Sequence, residues 1–247
     1  MQQLRPMLMK EWQACPPGNN FLVGLPTPRF LSFIIHTLVM AANKPIRVAV
    51  LASGRGSNFA AIINEIKAGN CNAEVKILLT NNPEAKAIDI AKANSIPVDV
   101  FERKQFKTRE EMDIHIEKVL DHHGVELVVL AGYMLLIKGK SLLEKYKNKI
   151  INIHPALLPA FPGEDAQKQA FDYGAKISGL TIHFVDETLD GGPIIYQEPV
   201  DISKCKTADE ANAEILKHEH KAFAKVVDSF SKGSYRFEGR RSIFVPK

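Results

Sequence analysis

Asn152 and His154 stand two residues apart in "INIHPALLPAFPG" (151–163), directly before three prolines. On a strand, that spacing puts an amide and an imidazole on the same face. An amide can donate to a developing oxyanion, and an imidazole can move a proton or, when charged, donate as well. Pro155 biases His154 toward an extended backbone, and Pro159 and Pro162 stiffen the loop beyond it, which suits two polar groups aimed at one atom. The same stretch also reads as a satisfied strand end running into a proline loop. Asp190, closing "DETLD" before Gly191-Gly192-Pro193, adds a carboxylate, and a carboxylate beside an imidazole favours the charged ring. The glycines there predict a turn with positive φ and a close backbone. Asn152, His154 and Asp190 together suit stabilisation of a tetrahedral oxyanion with a proton relay.

A second cluster is "LASGRGSN" (51–58). Backbone N–H groups at a helix N-terminus bind anions, and glycines let a phosphate approach. Gly56, Ser57 and Asn58 therefore read as a monophosphate cradle; the plainer alternative is a tight turn in which Ser57 or Asn58 caps the helix. A dinucleotide fingerprint needs Gly or Ala where Phe59 stands, and an acid about 20 residues on. Thr80-Asn81-Asn82 offer none, so a nicotinamide cofactor is not expected. His183 in "TIHFV" alternates within a strand and reads as a core residue. His122, His123, His218 and His220 fall on helix faces or ends without an H-E-x-x-H pattern, and no metal site is expected. Cys15, Cys71 and Cys205 form no paired framework, so a reducing compartment follows and no thiol nucleophile is assigned.

These residues need a scaffold that brings them to one edge. "IRVAVLA" (46–52), "EVKILLT" (74–80), "IPVDVF" (96–101), "VELVVLAG" (125–132) and "KIINIH" (149–154) read as strands, several of them continuous β-branched runs typical of a parallel sheet covered on both faces. Helices are expected between them at about 58–68, 83–94, 108–122 and 138–147, with Thr108 and Glu111 as a capping pair. "KISGLTIHFVDE" and "PIIYQEPVDI" read as a hairpin, followed by a helix over about 207–230. The alternation predicts a doubly wound α/β fold, mostly parallel, with an antiparallel piece toward the C-terminus. The basic "GRR" at 239–241 reads as a solvated tail.

Formal net charge is +4, with the charges interspersed. No basic stripe argues for nucleic acid, while a modest excess suits small anionic substrates. Residues 1–43 contain Pro6, Pro16, Pro17, Pro26 and Pro28 and no sustained periodicity. Their apolar run, 30–42, is shorter than the roughly 20 residues of a membrane span and lies too far from the start for a secretory signal of about 15–30 residues. Residues 1–43 are thus expected to be an extension or a misplaced start upstream of Met40. Residues 44–247 are expected to be one cytoplasmic domain with no membrane partner.

Taken together, "INIHPALLPAFPG", "HFVDETLDGGPII" and "VLASGRGSN" resemble the glycinamide ribonucleotide formyltransferases, a folate-dependent formyltransferase family, over about residues 45–230. The ordered combination N-x-H-P and L-D-G-G is specific to folate-dependent formyl transfer. The resemblance implies a Rossmann-like formyltransferase fold and transfer of the formyl group of 10-formyltetrahydrofolate, as co-substrate, to the amine of glycinamide ribonucleotide in purine synthesis. It implies small-molecule partners only, no metal, and a monomer or homodimer. Asn152, His154 and Asp190 are then the catalytic trio. Gly56, Ser57 and Asn58 hold the nucleotide phosphate, and Glu219 contacts the sugar. Arg109, Met134, Leu135, Leu136 and Ile137, with Asn152 and Asp186, line the folate pocket, closed by the loop 186–190. The chain departs from the family at Leu135, where an Arg is common, and at Glu164-Asp165, where Leu-His is usual. Two other functions use the same features: a formyltetrahydrofolate hydrolase with water as acceptor, and a non-catalytic nucleotide or folate sensor. The first carries a regulatory N-terminal domain longer than the segment upstream of the first strand here, and the intact trio argues against the second.

Overall fold

The computed structural model describes residues 44–247, and the expectation for residues 1–43 lies outside the described residues. Strand β1 (Ile46–Leu51) leads through the glycine turn into α1 (Ser57–Lys67), then β2 (Ala73–Thr80), α2 (Ala87–Ala93) and β3 (Val98–Val100). Helix α3 (Arg109–His122) returns the chain to β4 (Leu127–Leu130), and the short α4 (Lys140–Lys145) leads to β5 (Ile150–His154). After the proline loop come α5 (Ala166–Tyr173), the hairpin β6 (Ile177–Phe184) and β7 (Ile194–Asp201), the long α6 (Ala208–Lys232), and a last hairpin of β8 (Gly233–Glu238) and β9 (Arg241–Pro246).

All these strands form one sheet in the order β3-β2-β1-β4-β5-β6-β7-β9-β8. From β3 to β5 every pairing is parallel; β5 with β6 and β6 with β7 are antiparallel. The order runs outward from β1 in one direction to β3 and in the other through β4. The order in which strands are added therefore reverses between the parallel β1 and β4, a switch point that opens a crevice at their carboxyl ends, where ligands bind in open α/β sheets.

Alternation along the strands feeds two apolar layers. Val48 and Val50 face Phe59 and Ile62 of α1, Ile88 of α2, and Ile215, Phe223 and Val227 of α6. Ala49 and Leu51 face Met112, Ile116 and Leu120 of α3 and Leu142 of α4. Phe59 and Phe223 are fully buried, and each such side chain contributes about 1.5–3 kcal/mol of burial.

Three sequence expectations change. Helix α2 begins at Ala87 rather than at Pro83, because Asn82 Oδ1 accepts the Glu84 N–H at 3.0 Å and holds a turn there. Helix α5, in a stretch to which the sequence reading assigns no element, follows the proline loop directly. "GRR" is not a tail: Glu238 pairs with Arg241 across the β8–β9 turn, where Gly239 takes φ 60°, and β9 joins the sheet beside β7 at Ile194. An edge-to-face cluster of Phe184, Phe230, Tyr235 and Phe237 holds that hairpin against α6.

Candidate active site

The glycine turn leaves β1 at the switch point. Gly56 is the N-cap residue of α1, with φ 71°, and no side chain caps the helix. A Cβ on Gly56 would lie 2.8 Å from Ala87 Cβ, so the position requires glycine for both its φ and its packing. Ser57 and Asn58 are thus not caps, and the first-turn N–H groups, with the positive end of the helix dipole, face the crevice. The turn is braced from behind by the β2 end: Ser53 Oγ donates to Asn81 Oδ1 at 2.6 Å and Asn82 Nδ2 to the Ser53 carbonyl at 3.0 Å. The asparagines that stand where a dinucleotide site needs an acid are therefore scaffolding for the turn.

A pocket of about 200 Å³ lies in this crevice, lined by Gly54–Asn58, Ala131, Gly132, Ile153, Pro155, Gln167, Asn212, Leu216 and Glu219. Glu219, from the middle of α6, is buried and accepts from Asn58 Nδ2 at 2.8 Å. Burial pushes its carboxyl pKa up against the lowering effect of that bond. Gln167 on α5 and Asn212 on α6 add amides to the pocket wall; they were not legible in the sequence, because only the crossing of two helices over the sheet edge brings them there. Glu164 and Asp165, the acidic departure from the family, face solvent rather than the pocket.

The far wall of the pocket, Ile153 and Pro155, flanks the polar pair. Asn152 and His154 share a face of β5, opposite His183 and Thr181 of β6. Thr181 ties down the proline loop: its Oγ1 donates to the Ala156 carbonyl at 2.7 Å and accepts from the Leu158 amide at 3.0 Å. At the loop's far end the Phe161 carbonyl, on a residue at φ 54°, accepts from His154 Nε2 at 2.8 Å. His154 Nδ1 faces Asp190 Oδ2 at 3.5 Å, with both side chains nearly fully buried. Each ring nitrogen thus faces an oxygen acceptor.

Asp190 also accepts the Gly163 amide at 2.8 Å, joining the proline loop to the loop after β6. The left-handed residue of that loop is Asp190 itself, at φ 49°, rather than either glycine. The expected close backbone is at Gly192, where a Cβ would meet the Phe184 carbonyl oxygen at 1.8 Å. Asp186 holds the loop's start by accepting from the Thr188 amide at 2.8 Å. His183 is buried as expected of a core residue, yet it belongs to this cluster: Nε2 lies 3.2 Å from Asn152 Nδ2 and 3.7 Å from Asp190 Oδ1. The available signal was its place on the strand that must pair with "INIH".

The stretch 134–137 leaves β4 beside the same crevice and is pinned at several points. The Met134 amide donates to Ser53 Oγ at 3.0 Å, and Arg109 donates to the Leu136 carbonyl. Met134 is exposed, Ile137 is buried, and Leu135, at the family's Arg position, packs on the second apolar layer. Asp113, one turn after Arg109 and fully buried, accepts from the amides of Lys138 and Gly139 at 2.8 and 2.6 Å. It thus anchors the two residues that lead into α4, of which Gly139 is the N-cap. Burial raises its pKa, while the two amides and Arg109 oppose the rise. Asp113→Ala strands both amides and is expected to destabilise the fold by about 1–3 kcal/mol. Chemical denaturation measures this, and an unchanged midpoint would refute the anchor.

Among the described residues no group of three or more His, Cys, Asp or Glu is placed to hold a metal, and no helix is long and apolar enough to cross a membrane. The sequence pattern of the family described as formyl transferase matches residues 46–227. The phosphoribosylglycinamide formyltransferase of Bacillus subtilis (strain 168) is 46% identical over 181 residues, 73% of this chain and 92% of the relative. The trifunctional purine biosynthetic protein adenosine-3 of Gallus gallus is 35% identical over 216 residues, 87% of this chain but 21% of that longer protein. Among solved structures, glycinamide ribonucleotide transformylase 1 from Symbiobacterium toebii superimposes with a TM-score of 0.79 at 35% identity, covering 82% of this chain and 95% of that one.

Proposed function

The chain belongs to the formyl transferase family, and from that premise we infer that it transfers a formyl group from a formyl folate to the amine of glycinamide ribonucleotide, a step of purine biosynthesis. The donor we assign is 10-formyltetrahydrofolate. Asn152, His154 and Asp190 carry the chemistry. The observation that supports this most directly is the approach of His154 and Asp190 to 3.5 Å, both nearly fully buried, with Asn152 on the same face of β5 as His154.

The amine nitrogen attacks the formyl carbon, forming a C–N bond and placing negative charge on the formyl oxygen. Asn152 Nδ2 donates to that oxygen, and His154 joins it by turning its Nε2–H from the Phe161 carbonyl to the substrate. Asp190, held beside His154, receives the proton leaving the attacking nitrogen, directly or through a water. Collapse breaks the bond between the formyl carbon and the folate nitrogen, which takes up a proton, leaving a formamide on the ribonucleotide. Gly56, Ser57 and Asn58 hold the phosphate and Glu219 the ribose. Arg109 and the stretch Met134–Ile137, with Asp186 on the closing loop, hold the folate.

Product analysis tests the reading. With donor and aminoribonucleotide present, mass spectrometry should find one formylated nucleotide for each donor consumed. Free formate in its place would assign the chain to hydrolysis. Ser57→Asp tests the pocket: a carboxylate at the α1 N-terminus repels a phosphate, and ribonucleotide affinity should fall more than about tenfold, with folate affinity unchanged. Calorimetry showing equal loss for both ligands would make the glycine turn purely architectural.

A further inference from the structure

His183 takes no part in the steps above, yet it is almost wholly buried and touches the amide on which they depend. Its two ring nitrogens meet different chemistry. Nδ1 lies 2.8 Å from the carbonyl oxygen of Phe184, which can only accept, so Nδ1 carries hydrogen. Nε2 lies 3.2 Å from Asn152 Nδ2, which can only donate, so Nε2 presents its lone pair. The pairing follows from register, since Asn152 and His183 are directly opposed across β5 and β6.

We propose that His183 is a positioning residue: held as the Nδ1–H tautomer by the Phe184 carbonyl, it accepts one hydrogen of the Asn152 amide and thereby points the other at the reacting oxygen. This rests on the assignment of Asn152 as oxyanion donor. An Asn amide has two orientations, and the wrong one turns the Oδ1 lone pairs toward the developing negative charge. A neutral imidazole lone pair accepts from NH₂ and repels Oδ1, so only the donating orientation is satisfied. The charged groups facing the ring are Asp190, with Oδ1 at 3.7 Å from Nε2, Asp186 on the following loop, and His154. The two carboxylates favour a charged ring; burial and His154 oppose it, and burial prevails, pushing the pKa below the usual histidine value. A charged His183 would place an N–H against the Asn152 amide and release it.

Three measurements on the full-length protein test this. In ¹⁵N-labelled protein at neutral pH, His183 should show a protonated Nδ1 and an unprotonated Nε2; the opposite tautomer, or a charged ring, overturns the proposal. His183→Leu should lower kcat by about tenfold to a hundredfold, with KM for both ligands nearly unchanged. His183→Gln, whose side-chain oxygen can accept from Asn152, should recover most of the loss; if His183→Leu fails to fold, this variant and the tautomer measurement still decide. Finally, in an Asn152→Ala background His183→Leu should cost almost nothing further, since the two act as one unit. Fully additive losses would make His183 structural and overturn the proposal. Near wild-type turnover in Asn152→Ala alone would instead overturn the oxyanion assignment beneath it.

Discussion

Asp190→Asn is expected to lower kcat by about 10²–10⁴ while leaving the affinity for both ligands nearly unchanged. The substitution is a clean one here because Asp190 has two duties that an amide separates. Its bond from the Gly163 amide at 2.8 Å needs only an oxygen acceptor, which Asn supplies, so the loops stay joined. The negative charge facing His154 Nδ1 is lost, and with it the group proposed to take the amine's proton. Steady-state kinetics with ligand titration separates the two effects. Near wild-type kcat would remove Asp190 from the chemistry.

Omitting the aminoribonucleotide should slow donor consumption by on the order of 10³-fold or more. On the proposed reading the acceptor amine is carried into place by a phosphate at the α1 N-terminus and a ribose near Glu219, whereas water has no such handle. Its advantage is therefore positional, and a nucleoside lacking the phosphate should lose most of it. Following folate absorbance with full acceptor, dephosphorylated acceptor and none gives the ratio directly. If water consumes donor as fast as the amine does, the trio serves a hydrolase.

The polar trio was legible because each of its members carries a local mark. Asn152 and His154 share strand parity just before prolines, and Asp190 precedes two glycines and a proline. The parallel core was legible from its β-branched runs, which both layers of helices require. His183 reads as core, which its burial bears out, but its tie to Asn152 was not legible because that partner lies 31 positions away on another strand, and alternation says which face a residue takes but not what opposes it. Gln167 and Asn212 were missed for a similar reason: they meet the pocket through helix crossings. The last hairpin was legible in the alternation of Tyr235, Phe237 and Ile243 around Gly239, but the basic run drew the reading toward solvent.

The bond from Asn58 to Glu219 spans 161 positions. It joins the first described helix to the longest and last, and Asn212 and Leu216 of the same helix complete the pocket wall. During synthesis, then, the glycine turn, its brace and the parallel strands all leave the ribosome well before anything exists to close the nucleotide site. A chain halted before residue 208 lacks the pocket wall of Asn212, Leu216 and Glu219, and its first apolar layer lacks Ile215, Phe223 and Val227. Contacts of such sequence separation form late, after the entropy of the long intervening loop has been overcome. A ligand held between α1 and α6 would therefore stabilise only a chain that has both.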